Sequence, residues 1–311
     1  MFTLRGVAVA LNCFVLLYCL LSALVATAWR PLKPLHVAKQ SVASILFALR
    51  ALPLTASLVI TFALVVPSFQ LLERRSVQEG VGAMPVALGV FALLLIACGC
   101  IRGIAVQTRT TRLVTRWLEG ARPLKGEDDV IITFQPRWKT PPLILVGVRN
   151  PKVLVSEAAV ALLTQNELQI ALKHEREHVR SRDNLKKLVF CFCPFPGMAK
   201  LESAWSQAAE LAADDAAVSN PCDAVDLAAA LVKISRLVPV EPAPVCAVGF
   251  VAGSLSERVA RLLAWDEASM ARARIRTWYV IPFAVAASLL VSIAYGPVLA
   301  FTHEITEWLI R

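Results

Sequence analysis

Polar and apolar positions in this chain are segregated into long blocks. Residues 7–28, 52–72, 81–101 and 278–301 contain no Asp, Glu, Lys or Arg. Each block reaches the ~20 apolar residues that an α-helix needs to cross a bilayer core of about 30 Å. Helix is the form expected, because a lipid-facing backbone must satisfy its own hydrogen bonds. Pro53, Pro67, Pro85, Pro282 and Pro297 fall at or near block ends, where a missing N–H does least harm. The first block follows Arg5 and closes on Ala26-Thr27-Ala28, as a signal peptide would. Its apolar run exceeds the 7–15 residues of a signal core, so it is read as a retained anchor.

Between the third and fourth blocks the period changes. Residues 103–119 read as a basic helix. Short apolar runs at 130–134, 143–148 and 153–155, separated by Pro136, Pro141, Pro142 and Pro151, predict a small sheet. From Ser156 to about Trp265 the spacing is helical and Ala-rich. Thr164-Gln-Asn-Glu167 has the form of a capping box and opens a helix that runs to about Arg182, where Asp183-Asn184 would close it. The predicted organisation is three transmembrane helices in 1–101, a cytoplasmic domain over 102–277, a fourth transmembrane helix at 278–301 and a short extracytoplasmic tail over 302–311.

Composition sharpens this. The chain is 57% hydrophobic and 18% charged, against roughly 45–50% and about 25% for soluble domains. Disorder and a small disulfide-stapled secreted domain are excluded. A net charge of +9 invites a nucleic-acid reading, but its distribution predicts no direct nucleic-acid partner. Residues 29–50 hold Arg30, Lys33, Lys39 and Arg50 without an acid. Arg102, Arg109, Arg112, Arg116, Arg122 and Lys125 follow the third block, and Arg272, Arg274 and Arg276 precede the fourth. Residues 73–80 balance Glu73 and Glu79 against Arg74 and Arg75. Basic loops stay cytoplasmic, and all three clusters fall on one side of a four-span chain. The reading is a multi-pass protein of the cell inner (cytoplasmic) membrane with both termini extracytoplasmic, its positive charge meeting the lipid bilayer. Four cysteines lie in blocks and four in the domain, with no Cys-x-x-Cys pair, so buried free thiols are expected.

The chemistry concentrates in His174-Glu175-Arg176-Glu177-His178. Two histidines four residues apart project from one helix face and can share one metal ion, with Glu175 beside it as general base. Zinc suits two imidazoles and a carboxylate. The extension that would supply a third histidine fails, since Ser181 and Asn184 stand where Gly and His would be needed. His303 lies beyond the fourth block and His36 outside the domain, so a carboxylate is required. Residues 198–218 offer Glu202, Glu210, Asp214 and Asp215. Glu210 and Asp214 are one helical turn apart, so one can bind metal while the other accepts a hydrogen bond from a ligand histidine. Asp183 either orients a ligand or caps the helix. Arg180 and Arg182 are read as meeting phosphates or acids at the membrane face, and the apolar stretch 190–196 as packing internally or at the bilayer surface.

His174-Glu-x-x-His178, Asp183-Asn184 and Glu210-x-x-x-Asp214-Asp215, with these spans, resemble the integral-membrane metallopeptidases of the beta-lactam-sensing antirepressor family and their heat-shock and prenyl-processing relatives. The resemblance implies a zincin-like domain between the third and fourth spans. It implies Zn2+ on His174, His178 and Glu210, Asp214 as a supporting partner, and 151–156 as a strand lining the substrate cleft. It also implies a protein substrate, such as a transcriptional repressor, cleaved in regulatory signalling. Two departures stand out. Only residues 302–311 follow the fourth block, so the extracellular penicillin-binding sensor is expected to be lacking. A histidine that precedes an arginine by six residues in the heat-shock relatives is Ala252 here, ahead of Arg258. Arg258 or a backbone N–H would then supply the oxyanion donor, unless Arg258 serves as a packing ion pair. The alternative functions are a catalytically weak signal-transducing scaffold and a broad quality-control protease.

Overall fold

A computed structural model describes residues 2–29, 38–73, 82–118, 122–123, 131–134, 142–237, 247–249, 255–265 and 295–306. Helix α1 is Phe2–Ala28. Helix α2, Lys39–Ile60, continues through a π-helical turn at Thr61–Val65 into α3, Val66–Leu72, and α4 is Ala83–Leu118. Among the described residues, these form three helical rods long and apolar enough to cross a membrane. The predicted fourth span lies outside the described residues up to 294; residues 295–306 are helical.

Two boundaries differ from the sequence reading. Residues 29–50 were expected to form a loop, yet α2 begins at Lys39 and Arg50 lies well inside it. From Lys39 to Arg50 there is no Pro or Gly to stop a helix, and Ala43, Leu46 and Arg50 are buried at helical spacing. Charge ends a lipid-facing stretch without ending a helix. For the same reason the third span and the basic stretch after it are one helix, α4.

The π turn has a local cause. Pro67 has no N–H to meet the Ala63 carbonyl in α-helical register. The ladder widens there, and the Tyr295 hydroxyl donates to Ala63 O at 2.8 Å. In an apolar surrounding, such carbonyls need a partner.

The remaining elements form a sheet with a helical layer. Strands β1 (Arg122–Pro123), β2 (Ile131–Phe134), β3 (Leu143–Val146), β4 (Lys152–Ser156) and β5 (Ala247–Gly249) lie in the order β1-β2-β4-β3-β5. Strand β4 runs parallel to β2 and antiparallel to β3, with Ile144 opposite Leu154. Side chains alternate across a strand, and here each face of β3 and β4 has its own cover. Leu143, Leu145, Val153 and Val155 join the helical core, while Ile144, Val146 and Leu154 pack against Val114 and Trp117 of α4. The basic end of α4 therefore roofs the sheet.

The helices of this part are α5 (Glu157–Leu162), α6 (Gln165–Ser181), α7 (Asp183–Phe192), α8 (Ala199–Ala217), α9 (Pro221–Ser235) and α10 (Leu255–Leu263). The capping box is formed. Thr164 Oγ1 accepts from Glu167 N and Glu167 Oε2 accepts from Thr164 N, at 3.3 and 2.8 Å. A separate core of Val25, Ala43, Leu46, Phe190, Met198, Leu201 and Trp205 seats α8 against the ends of α1 and α2. Two glycines admit α7 to α4. A Cβ on Gly99 would meet the Phe192 carbonyl at 2.7 Å, and one on Gly103 would meet the Phe192 ring at 2.5 Å.

Candidate active site

Helix α6 presents Leu168, Ala171, Leu172, Glu175 and His178 on its buried side. That spacing aims His174 and His178 at α8, which contributes Glu210 and Asp214. All four are at most 2% exposed. The two imidazoles meet at Nε2–Nε2 3.1 Å. Glu210 faces both, with Oε2 at 3.5 Å from His174 Nε2 and Oε1 at 3.7 Å from His178 Nε2. One ligand atom from each of these three residues lies within 4.8 Å of the others.

The outer nitrogen of each imidazole is held by a carboxylate. Asp214 Oδ1 is 3.0 Å from His174 Nδ1, and Asp183 Oδ2 is 2.7 Å from His178 Nδ1. An Nδ1–H donated outward leaves the Nε2 lone pair facing inward, as a metal ligand requires. Asp183 reaches this place through a tight corner. Arg182 takes the left-handed conformation at φ 55°, closes α6 and starts α7 at once. Beside it, Asn184 Nδ2 donates to the β3 carbonyl of Leu145 and to Gly147 O at 3.3 and 2.9 Å, tying the corner to the sheet. Lys186 Nζ donates to the second oxygen of Asp183 at 3.0 Å.

Arg258, from α10, faces the opposite end of the cluster. It is 3% exposed. Its Nε and Nη2 donate to the two oxygens of Asp214 at 2.8 and 2.6 Å, and Nη1 lies 3.1 Å from Glu210 Oε2. Arg261, one turn on, pairs with Asp215.

The electrostatics favour a cation. Burial opposes charge on His178, but Glu210 and Asp183 overcome it and push its pKa up to about 10. Burial would raise Glu210, yet His178, His174 and Arg258 hold it well below the usual carboxylate range. Buried carboxylates that recruit a proton onto an imidazole suit a divalent ion at the same point. Two imidazoles and a carboxylate with inward lone pairs are chemically apt for zinc. Glu175 stands apart: its two oxygens are buried with no hydrogen-bond partner among the described residues, and burial raises its pKa to about 7.

The expected residues are thus brought together: His174, Glu175, His178, Glu210, Asp214, Asp183 and Arg258. The stretch 151–156 differs from expectation. Both edges of β4 are taken by β2 and β3, so it has no free edge for a peptide. Of that stretch, Pro151 lines the cavity of about 330 Å³ beside His178, together with Leu145, Gly147, Arg149 and Arg182. Sequence reasoning missed Arg50. It is 2% exposed, and its Nε donates to Glu202 of α8 at 2.8 Å. It was read as an orientation charge, and nothing in its local sequence distinguishes the two roles. The spacing Gly99-x-x-x-Gly103, a close-packing signal in apolar helices, was readable and went unused.

The model of the BlaR1 peptidase M56 family matches residues 17–262. The chain belongs to this family. The match runs from the second half of the first rod through the other two rods, the sheet, the histidine pair and Glu210 to Arg258, so membership covers the site as well as most of the three rods. No curated protein matches the chain. As a family member with three apolar rods and a group of two histidines and a glutamate able to hold a metal, the protein is a membrane-associated metallopeptidase by family.

Proposed function

We propose that the protein is a zinc-dependent endopeptidase that cleaves a protein substrate at the cytoplasmic membrane face in regulatory signalling. The observation that carries this reading is the convergence of His174 Nε2, His178 Nε2 and Glu210, with the unpartnered carboxylate of Glu175 one residue from His174. Bound there, zinc would polarise a peptide carbonyl and acidify a water molecule. Glu175, with its pKa near 7, is suited to accept a proton from water and return it to the leaving amine. Asp214 and Asp183 hold the imidazoles in one tautomer. Arg258 acts on the carboxylates rather than on substrate, since its nitrogens already face Asp214 and Glu210; a backbone N–H is then the oxyanion donor.

The basic residues near the domain ends of the rods support a cytoplasmic site and extracytoplasmic termini. The family supports a protein substrate, and a transcriptional repressor is the candidate.

The test is Glu175→Gln in full-length protein purified in detergent and loaded with zinc. Cleavage of a candidate repressor should fall by at least a thousandfold while bound zinc stays near one per chain. Unchanged cleavage would overturn the mechanism. A wild type that binds zinc but never cleaves would favour a signalling scaffold, and many cleaved cellular proteins would favour quality control. Cysteines introduced at Gln78 and Gln207 should label from opposite sides of the membrane.

A further inference from the structure

A cavity of about 460 Å³ opens where the apolar rods meet the domain. It is separate from the histidine cluster. Arg50 of α2 and Arg102 of α4 stand in its wall, each just outside an uncharged stretch, 52–72 and 81–101 respectively. Lys187 comes from α7, and Glu202 and Trp205 from α8. Three cations therefore face one carboxylate.

That carboxylate is already engaged. Arg50 Nε donates to Glu202 Oε1 at 2.8 Å and its Nη2 donates to Cys193 O at 2.5 Å, so its charge is spent within the fold. Arg102 is exposed and forms no ion pair among the described residues. Arg102 therefore leaves a positive charge in the wall at the level where the apolar blocks end.

The rest of the wall is apolar and aromatic. Phe190, Pro194, Phe195 and Trp205 line it. Trp205 is 1% exposed, and its indole N–H has no acceptor among the described residues. A buried donor without a partner is costly, and a ligand oxygen reaching this wall relieves it. Cations at the end of apolar helices, above an aromatic wall, suit an amphiphile whose anionic head sits at the bilayer boundary.

We propose that this cavity binds the phosphate of an anionic phospholipid headgroup. Arg102 and Lys187 are its cationic contacts, and the aromatic wall receives the glycerol and upper acyl chains. Free phosphate shares the charge but not the chains, and the aromatic wall favours the lipid. Helix α8 carries Trp205 in this wall and Glu210 in the histidine cluster, so the lipid would rest on the helix that supplies the metal-binding carboxylate. The proposal does not depend on the peptidase reading.

Native mass spectrometry of the full-length protein, delipidated in detergent, tests it by titration with phosphatidylglycerol, phosphatidylcholine or inorganic phosphate. One phosphatidylglycerol should bind at least tenfold more tightly than phosphatidylcholine. Arg102→Gln with Lys187→Gln should remove that preference, while Arg109→Gln with Arg112→Gln on the same helix should keep it. Millimolar inorganic phosphate should not displace the lipid. Equal phosphatidylglycerol binding by wild type and the Arg102/Lys187 variant would overturn the proposal, as would full displacement by phosphate, which would make the ligand a soluble anion. If the double variant does not fold, Arg102→Gln alone, at an exposed position, carries the comparison.

Discussion

Arg258 and Asp214 form a two-point clasp, with Nε and Nη2 on the two carboxylate oxygens at 2.8 and 2.6 Å, both residues at most 3% exposed. Because Asp214 also faces His174 and Arg258 also faces Glu210, one guanidinium orients two parts of the group that could hold a metal. Arg258→Ala strands two buried carboxylates, which costs about 3–5 kcal/mol, and should weaken zinc binding about 10–100-fold. Arg258→Lys keeps the charge but loses the planar fork and should fall between. Thermal unfolding and zinc titration read both effects. Normal zinc affinity with lost cleavage would instead assign Arg258 to the reaction itself.

Asp183 should behave as a ligand support despite its position at the start of α7. Asp183→Ala removes the 2.7 Å acceptor of His178 Nδ1 and should lower zinc affinity about 10–100-fold. Asp183→Asn keeps one acceptor oxygen and should lose less. If Asp183 only caps α7, both variants would alter thermal stability and leave the zinc titration unchanged.

The close approach of α4 and α7 depends on Gly99. The atom that a Cβ would strike is the Phe192 backbone carbonyl, which cannot swing aside. Gly99→Ala should therefore destabilise by about 1–3 kcal/mol. Gly103→Ala strikes a ring that can rotate and should cost less. Unfolding midpoints in one detergent compare the two directly.

Glu167 joins α6 to α9, with Lys233 Nζ at 2.7 Å from both its oxygens. Burial raises its pKa, but Lys233 and the Thr164 N–H more than offset this and leave it lowered. A lowered folded-state pKa contributes stability that is full above the ordinary Glu value of 4.5 and lost as pH falls through the folded value. Lys233→Met should lower the unfolding midpoint at pH 7, and the gap to wild type should narrow below about pH 4.5. A gap independent of pH would show that the pair contributes only packing. Thr164→Ala should cost about 1 kcal/mol through the cap alone.

What could be read from the chain alone was whatever has a local period or a local spacing. Apolar blocks mark the rods, because bilayer thickness sets their length. Thr164 and Glu167 mark the start of α6, because both halves of a capping box lie within one turn. His174 and His178 share a face because a helix repeats every 3.6 residues, and Glu210 and Asp214 are paired on α8 for the same reason. Tertiary structure decided which partner each of these meets. Asp183 reads from the sequence as either a cap or a ligand support, and only the left-handed turn at Arg182 brings its carboxylate to His178. Arg258, 44 residues beyond Asp214, reads from the sequence as either oxyanion donor or ion pair, and only the packing of α10 on α9 brings its guanidinium onto Asp214. Arg50 read as one of several orientation charges until α2 proved to extend back to Lys39 and place it against Glu202. Each of these is a contact between distant segments, and its energy depends on burial and geometry that no local stretch of sequence encodes.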